Sequence, residues 1–337
     1  MTIVEYFARR LAFVIPLVLG IVLITFLLVR LGGQEPTGLL AGPMATEAQM
    51  NLIRSELGLD RPIFEQFAIY LVNVLQGDLG KSWQSNTPVL DEILIRITAS
   101  LELLLTSMAL GALIGVPVGL RAALRPRGLF DQVSRAISLV SYSVPTYWMA
   151  LMALFIFFLA LGWAPPPMGR IDLAVFPPPT VTGSYFIDSL IAGDLEAASS
   201  ALGHLILPVC VFTLIVAAPI IKQTRAICLE VLSSDYIRMA RLYGYGRKKV
   251  WRMTLRNALV PVVTYIGAEL ATLLAAVALV ELVFSWGGLG QWGLNAILFG
   301  DFAAVQGYVL VLALFASTVY LIVDLIVLIA EPRAATR

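Results

Sequence analysis

Six runs of this sequence are apolar for long enough to cross a lipid bilayer, at approximately residues 11–31, 100–120, 136–161, 205–226, 259–284 and 303–329. About 20 helical residues traverse the hydrocarbon layer, and a helix satisfies its own backbone hydrogen bonds where no water can. That constraint fixes the class before any motif is read. The composition agrees. Of 337 residues 59% are hydrophobic and only 13% charged, too few charges to cover a soluble core of this size. The expected fold is an all-α polytopic membrane protein with six transmembrane helices.

The first run follows Arg9 and Arg10 and has neither the shortness nor the small-residue cleavage site of a signal peptide, so it reads as an uncleaved first span. The basic residues then set the orientation. Arg9 and Arg10 precede the first run. Arg121, Arg125, Arg127 and Arg135 lie between the second and third, and Lys222, Arg225 and seven more between the fourth and fifth. Arg333 and Arg337 follow the sixth, which puts 17 of the 23 basic residues on one side. Acids such as Glu47, Asp60, Asp78, Asp188 and Asp301 populate the other. Both termini are therefore expected in the cytoplasm, as an even number of spans requires.

The chain divides by this reading into residues 1–99, a first span with a long outer loop holding short helices, and residues 100–337, a five-helix core. In the outer loop Thr46 and Gln49 form a capping box, and Gly58 can end that helix. Asp60 can cap a second helix, with Pro62 in its first turn and Gly77 beyond its end. Ile63, Phe64, Phe67, Tyr70, Leu71 and Val74 give it one apolar face, for the membrane interface or for the helix ends. The loop of residues 162–203 carries APPP and FPPP, stiff extended turns. No separate soluble domain and no internal repeat is apparent.

Several familiar patterns point to no chemistry. His204 is the single histidine, which argues against zinc sites and histidine relays. Cys210 and Cys228 lie on one apolar segment and suggest no disulfide framework. GDLGKS, residues 77–82, resembles a phosphate loop but has Leu75 where the full pattern needs glycine. GLGQWG, residues 288–293, fits a dinucleotide fingerprint by letter, yet follows a span and opens no βαβ unit; it reads as a tight turn or re-entrant element. Four acids lie in or near the spans: Glu102, Glu269, Glu281 and Asp324. Such residues face protein or water, and no two are spaced for acid–base catalysis. Glu102 and Asp324 can pair with nearby helices. Glu281 can line a passage or hold a turn through backbone N–H groups, and Glu269 is a second passage candidate.

One stretch does ask for a function. SSDYIRMARLYGYGRKKVWRMTLRNALVP, residues 233–261, holds Arg238, Arg241, Arg247, Lys248, Lys249, Arg252 and Arg256 against one acid, Asp235. Ser233 or Ser234 can cap a helix with Asp235 in its first turn. Tyr236, Met239, Ala240 and Tyr243 share one face, Gly244 and Gly246 break the pattern, and a second basic helix follows over about residues 247–257. Small Ala240 and Gly244 would let another surface approach the backbone. A basic anchor on anionic lipid is the plain alternative, but it accounts for neither the turn nor the ordered length.

DYIRMARLYG with its basic run and LRNALVP resembles the EAA loop of bacterial ABC import permeases, and more narrowly the dipeptide and oligopeptide permease family. FARRLAFVIPLVLGIVLITFLLVRL, IRSELGLDRPIFEQFAIYL, GDLGKS, SYSVPTYWMALM, HLILP and VELVFSWGGLG are similar to that family in the same order, so the resemblance runs nearly the whole chain. It departs mildly at Arg238, where the general motif has an acid, and at Gly287, where a proline is common. The resemblance implies a type I ABC importer permease fold. It implies a cytoplasmic coupling loop over about residues 227–258 that sits in a groove of an ATPase. Asp235, Tyr236, Arg238, Met239, Ala240, Arg241 and Gly244 would make that contact. It also implies a second homologous permease subunit, two cytoplasmic ATP-binding subunits carrying ATP and Mg, a substrate-binding protein and a peptide substrate. This chain itself would bind no cofactor or nucleic acid, would not be an enzyme, and would sit in the bacterial inner membrane among its lipids. Relatives carry nickel chelates, glutathione or oligosaccharides. A self-sufficient secondary transporter would want inverted repeats, which are not seen. A membrane-embedded enzyme would want a clustered nucleophile and base, and none is seen either.

Overall fold

The computed structural model describes residue 12 and residues 15–27, 46–56 and 58–330. The expected first span is represented by α1, Ile15–Leu27. Its ends, both chain termini and the basic residues there (Arg9, Arg10, Arg333, Arg337) lie outside the described residues.

Among the described residues, four helices are long and apolar enough to span a membrane. The expectation of an all-helical membrane fold holds. Two short helices precede the long ones: α2, Glu47–Glu56, and α3, Ile63–Leu75. The long ones are α4, Val89–Leu124; α8, Leu195–Ser233; α10, Arg247–Phe284; and α12, Phe302–Ala330. Between them lie α5, Leu129–Ser143; α6, Thr146–Ala153; α7, Tyr185–Ala192; α9, Asp235–Leu242; and α11, Leu289–Phe299. The long helices overrun the apolar runs at their polar ends. Asp194, for example, starts α8 ten residues before the run by accepting the Ala197 N–H at 2.9 Å.

The third expected span, residues 136–161, is not one straight helix. α5 and the arm that begins with α6 meet at a bend of 101°. Pro145 lacks an N–H and forces its predecessor out of the helical region, and Val144 is extended (φ −87°, ψ 130°). α6 then restarts from the Pro145 carbonyl and widens into a π-helix over Leu154–Ala160. Pro117, Pro208, Pro219 and Pro261 all lie inside unbroken helices.

The chain forms two compact units. The larger contains residues 98–291 and 316 onward, with α8 at its centre against α5, α6, α7, α9 and α10. α4 joins it through three glycines spaced four apart. A Cβ on Gly111 would lie 2.8 Å from Val216, one on Gly115 2.7 Å from Ile220, and one on Gly119 2.7 Å from the Ile221 carbonyl. The two backbones approach as closely as that stripe allows, as helices in lipid tend to do at small residues. Below it Leu120, Ala123, Cys228, Ala258 and Val262 make a buried cluster joining α4, α8 and α10.

The expected Pro-rich loop of this unit is pinned by Asp188. Its carboxylate accepts the N–H groups of Val181, Thr182 and Gly183 at 3.1, 2.7 and 2.9 Å and the Thr182 hydroxyl at 2.8 Å. Burial alone would raise its pKa, but those donors outweigh it and hold the group below the usual carboxylate range.

The smaller unit contains the described residues of 9–97 with 292–315. The capping box forms: the Thr46 N–H reaches Gln49 Oε1 at 3.0 Å, and the Gln49 N–H reaches Thr46 Oγ1 at 3.4 Å. Gly58 (φ 62°) and Gly77 (φ 84°) end their helices as expected. Asp60 does not cap α3. Pro62 stands at its N-cap and the Glu65 and Gln66 N–H groups turn back to the Pro62 carbonyl. The apolar face of α3 is split: Phe67 and Tyr70 pack on Phe26 of α1, with ring centroids 5.3 and 5.7 Å away, while Phe64 is 85% exposed.

Gly119→Ala is expected to cost the purified protein on the order of 1–3 kcal/mol of stability, because its new methyl meets backbone. Gly203→Ala, with nothing within 4 Å of the added atom, is expected to be neutral or to stabilise by up to about 1 kcal/mol. Thermal unfolding of both variants in detergent separates them. Asp188→Asn is expected to cost about 1–3 kcal/mol at neutral pH by leaving backbone donors poorly matched. A depressed native pKa stabilises above the unfolded value of about 3.9 and loses that contribution as pH falls through the native one. The gap in melting temperature between wild type and Asp188→Asn should therefore close below about pH 4.

Candidate functional site: a coupling element and the turn at Glu281

α8 runs straight into α9, which returns through a glycine turn to α10. The turn is a Schellman motif: the Tyr245 N–H reaches the Ala240 carbonyl at 3.0 Å and the Gly244 N–H the Arg241 carbonyl at 3.0 Å. Gly244 takes φ 74°, a conformation that costs other residues. Gly246 is extended and begins α10, which continues through residues 247–257 into the fifth span without a break. The expected helix–glycine–helix element is therefore present.

Its details differ from the sequence reading in two places. Neither serine caps α9, because Ser233 Oγ donates to the Glu230 carbonyl at 2.7 Å and Ser234 Oγ to the Val231 carbonyl at 2.5 Å. Ala240 is not on the open face. It is buried with Ile237 against α8 and α10, at 5% and 0% exposure. Tyr236, Met239, Leu242 and Tyr243 stand outward instead, between the exposed Asp235, Arg238 and Arg241. Small Ala240 thus seats α9 on its own helices, while larger apolar side chains with a charged fringe face away. A bare apolar face between flanking charges is the composition of a docking surface.

α8 is held from the side. Arg225 of α8 grips Asp131 of α5 with two bonds, Nε to Oδ1 at 2.5 Å and Nη2 to Oδ2 at 2.8 Å, and the Arg127 N–H adds a third at 2.9 Å. Asp131 is fully buried. In the sequence Arg225 stands out only as an orientation signal, and no local pattern reveals a partner 94 residues away.

At the far end of α10, Glu281 is wholly buried. Its carboxylate accepts the Ser100 hydroxyl and, at 2.8 Å, the Gln291 N–H; Ser100 Oγ in turn accepts the Leu289 N–H at 2.8 Å. Trp286 adds a bond from Nε1 to the Ala99 carbonyl at 3.0 Å. A Cβ on Gly288 would stand 2.4 Å from that carboxylate, and one on Gly290 2.6 Å from Ala278. The tight turn is therefore residues 285–288, and from Leu289 on GLGQWG is already the first turn of α11; Gly288 makes room for the buried acid and Gly290 for Ala278. Of the two readings of Glu281, its contacts match the holding of this turn. Glu269 is half-buried and accepts the Tyr265 hydroxyl one turn back. Nothing brings Glu269 and Glu281 together.

Two further polar centres are present: the expected pairing of Glu102, whose partners the sequence does not name, and one at Asp301 that the sequence does not reveal. In the larger unit Glu102 accepts the Ser184 hydroxyl at 2.5 Å and faces Arg170 at 3.8 Å, while Arg170 lies 3.8 Å over the Tyr185 ring. In the smaller unit Asp301 accepts the Ser82 hydroxyl at 2.5 Å and the Trp83 and Gln84 N–H groups at 2.9 and 3.3 Å. Only Ser82 of the phosphate-loop look-alike takes part, and the two N–H groups come from the residues that follow it.

A bundle of apolar helices long enough to span a membrane, with a short helix between two of them whose apolar side chains stand outward, defines a polytopic membrane protein. The comparisons agree along the whole length. Residues 115–336 match the family model of the binding-protein-dependent transport system inner membrane component, and residues 3–104 match the model of the N-terminal part of such membrane components. The chain is 38% identical over 334 residues to the dipeptide transport system permease protein DppB of Escherichia coli K12, covering 98% of both proteins. It is 38% identical over 331 residues to the di/tripeptide transport system permease protein DppB of Pseudomonas aeruginosa, again covering 98% of each. It is 32% identical over 329 residues to the glutathione transport system permease protein GsiC of Pectobacterium atrosepticum, covering 97% of this chain and 98% of that one. The chain belongs to the family of binding-protein-dependent inner membrane permeases, and within it resembles the DppB-like peptide permeases.

Glu281→Ala and Gly288→Ala are each expected to destabilise by on the order of 1–3 kcal/mol, the first by orphaning buried donors and the second by displacing the carboxylate. Because both act on one contact, the double variant should cost less than the two single losses added, which a double-mutant cycle on melting temperature measures.

Proposed function

We propose that this chain is the transmembrane subunit of an ATP-driven importer that takes di- or oligopeptides from an external binding protein and releases them in the cytoplasm by alternating access. Its full-length similarity to dipeptide and di/tripeptide permeases supports this substrate class. The observation that carries the mechanism is the exposed face of α9, Tyr236, Met239 and Tyr243, mounted on two long helices. In this reading all six apolar runs span the bacterial inner membrane, both termini are cytoplasmic, and α9 seats in an ATPase subunit. Two such subunits bind ATP and Mg, and a second, homologous permease completes the passage. Closure of the ATPases moves α9, and α8 and α10 follow because Ile237 and Ala240 lock α9 to them. Alternating access then needs only that each ATPase state favours one arrangement of the spans. Asp235, Arg238, Arg241 and Gly244 shape the seat. Glu269, half-buried, is the remaining passage candidate.

A second cargo is favoured by one observation: the similarity to a glutathione permease. Glutathione is itself a modified tripeptide, so the two cargoes share amide and carboxylate chemistry. Co-purification of the assembled importer with its binding protein, followed by identification of the retained molecule, decides between them.

Met239→Asp is expected to leave the melting temperature of the isolated chain unchanged, since the side chain is 51% exposed, yet to reduce ATPase co-purification and peptide uptake at least tenfold, as loss of a desolvated anchor does. Ile237→Asp, at a fully buried position, is expected to destabilise the chain itself. Normal uptake by Met239→Asp would remove the coupling role.

A further inference from the structure

Where α4 ends and α10 begins, a cavity of about 630 Å³ is walled by Arg125, Arg241, Arg247 and Lys248. No acid lines it, and none of the four forms an ion pair with another described residue. The neighbouring base, Lys249, is engaged differently, with its Nζ 3.5 Å over the Tyr245 ring. α10 has no acid in its first turn to offset this charge. Four unpaired cations around one cavity repel one another, and a bound anion relieves that repulsion. The remaining walls are not what a small soluble anion needs. Leu124 is the last residue of a membrane-spanning helix, and Trp251, 41% exposed, and Val250 add apolar surface beside the cations. Cationic walls for a phosphate next to apolar walls for a chain match one kind of molecule.

We propose that this cavity binds the headgroup of an anionic phospholipid from the cytoplasmic leaflet. The phosphate lies among Arg125, Arg247 and Lys248, and an acyl chain lies along Leu124 and Trp251. The site joins the end of α4 to the start of α10, one turn after the coupling element, so an occupied site braces the seat of α9 against the membrane. Basic pockets beside spanning helices take such headgroups elsewhere. The proposal rests on the cytoplasmic placement of residues 235–257 given above.

The test uses the full chain in its assembled complex, in nanodiscs of phosphatidylcholine doped with phosphatidylglycerol, with bound lipid read by native mass spectrometry. Wild type is expected to retain phosphatidylglycerol over phosphatidylcholine. Each cation near a headgroup is worth about a fivefold change in affinity, so R125Q/R247Q/K248Q should lose on the order of 100-fold. Equal retention by wild type and variant, or no preference between the two lipids in wild type, overturns the proposal; the second comparison needs no variant to fold. Displacement of the lipid by inorganic phosphate would assign the cavity to a soluble anion instead. A crosslink from residue 248 to an acidic segment of the ATPase, with no lipid retained, would assign it to that partner. Maleimide labelling of Lys248→Cys separates the two layers of inference. Labelling only from the cytoplasmic side with no lipid preference sinks the lipid site alone, whereas labelling from outside sinks the orientation.

Discussion

The close approach of α4 to α8 is the contact on which the larger unit depends. Three glycines one turn apart remove the side chains of α4 from the line of contact, so its backbone meets the Val216 and Ile220 side chains and the Ile221 carbonyl directly. In lipid no hydrophobic effect drives helices together, and stability comes from dispersion contacts that grow as the surfaces close. The same closeness makes the pair stiff, because neither helix can slide without driving a glycine backbone into a branched side chain. α8 is also the helix that carries α9. A displacement applied at α9 therefore enters the bundle through its most tightly packed member.

Two other interactions extend that stiffness. The Asp131–Arg225 pair ties α5, the first arm of the bent helix pair, to α8, and its backbone bond from Arg127 fixes the loop between α4 and α5. A buried pair of this kind contributes little net stability, but it specifies geometry, because any shift that parts it leaves a charge unpaired. At the opposite end of α10, Glu281 holds the turn into α11 to Ser100 of α4. α10 is thus fastened at both ends, to α9 by the Schellman turn and to α4 by a buried carboxylate. Rigid-body transfer of motion asks for helices fixed in this way, with the freedom left to the bundle as a whole.

Much of this was legible in the sequence, and the physical reason is that lipid reduces the problem to hydropathy and charge. The long apolar runs, the glycine break at Gly244 and the capping box at Thr46 are local signals with local causes. The full length of α8 was not legible, because the turns before Leu205 carry no hydropathy signal and are started by the Asp194 cap. Nor was the break at Pro145, since Pro117, Pro208, Pro219 and Pro261 stand in unbroken helices. The inward turn of Ala240 follows from which neighbours α9 meets, which spacing alone does not state. GALIGVPVG, residues 111–119, did announce a close helix contact through its four-residue spacing, but the sequence reading did not use it.

The buried acids divide the protein's charge into two economies of structure. Asp188 and Asp301 gather backbone N–H groups of irregular turns and Glu281 one from the first turn of α11, groups that lack a backbone acceptor of their own. Each therefore solves a folding problem and is no longer available for binding. The bases of residues 238–256 are different: apart from Lys249 on Tyr245, they have no such internal task among the described residues. A side chain that the fold does not use is free to meet something outside it. Acids consumed within turns and bases left at one end of the bundle are what a chain shows when its structure is complete in itself but its function lies in contacts with other molecules.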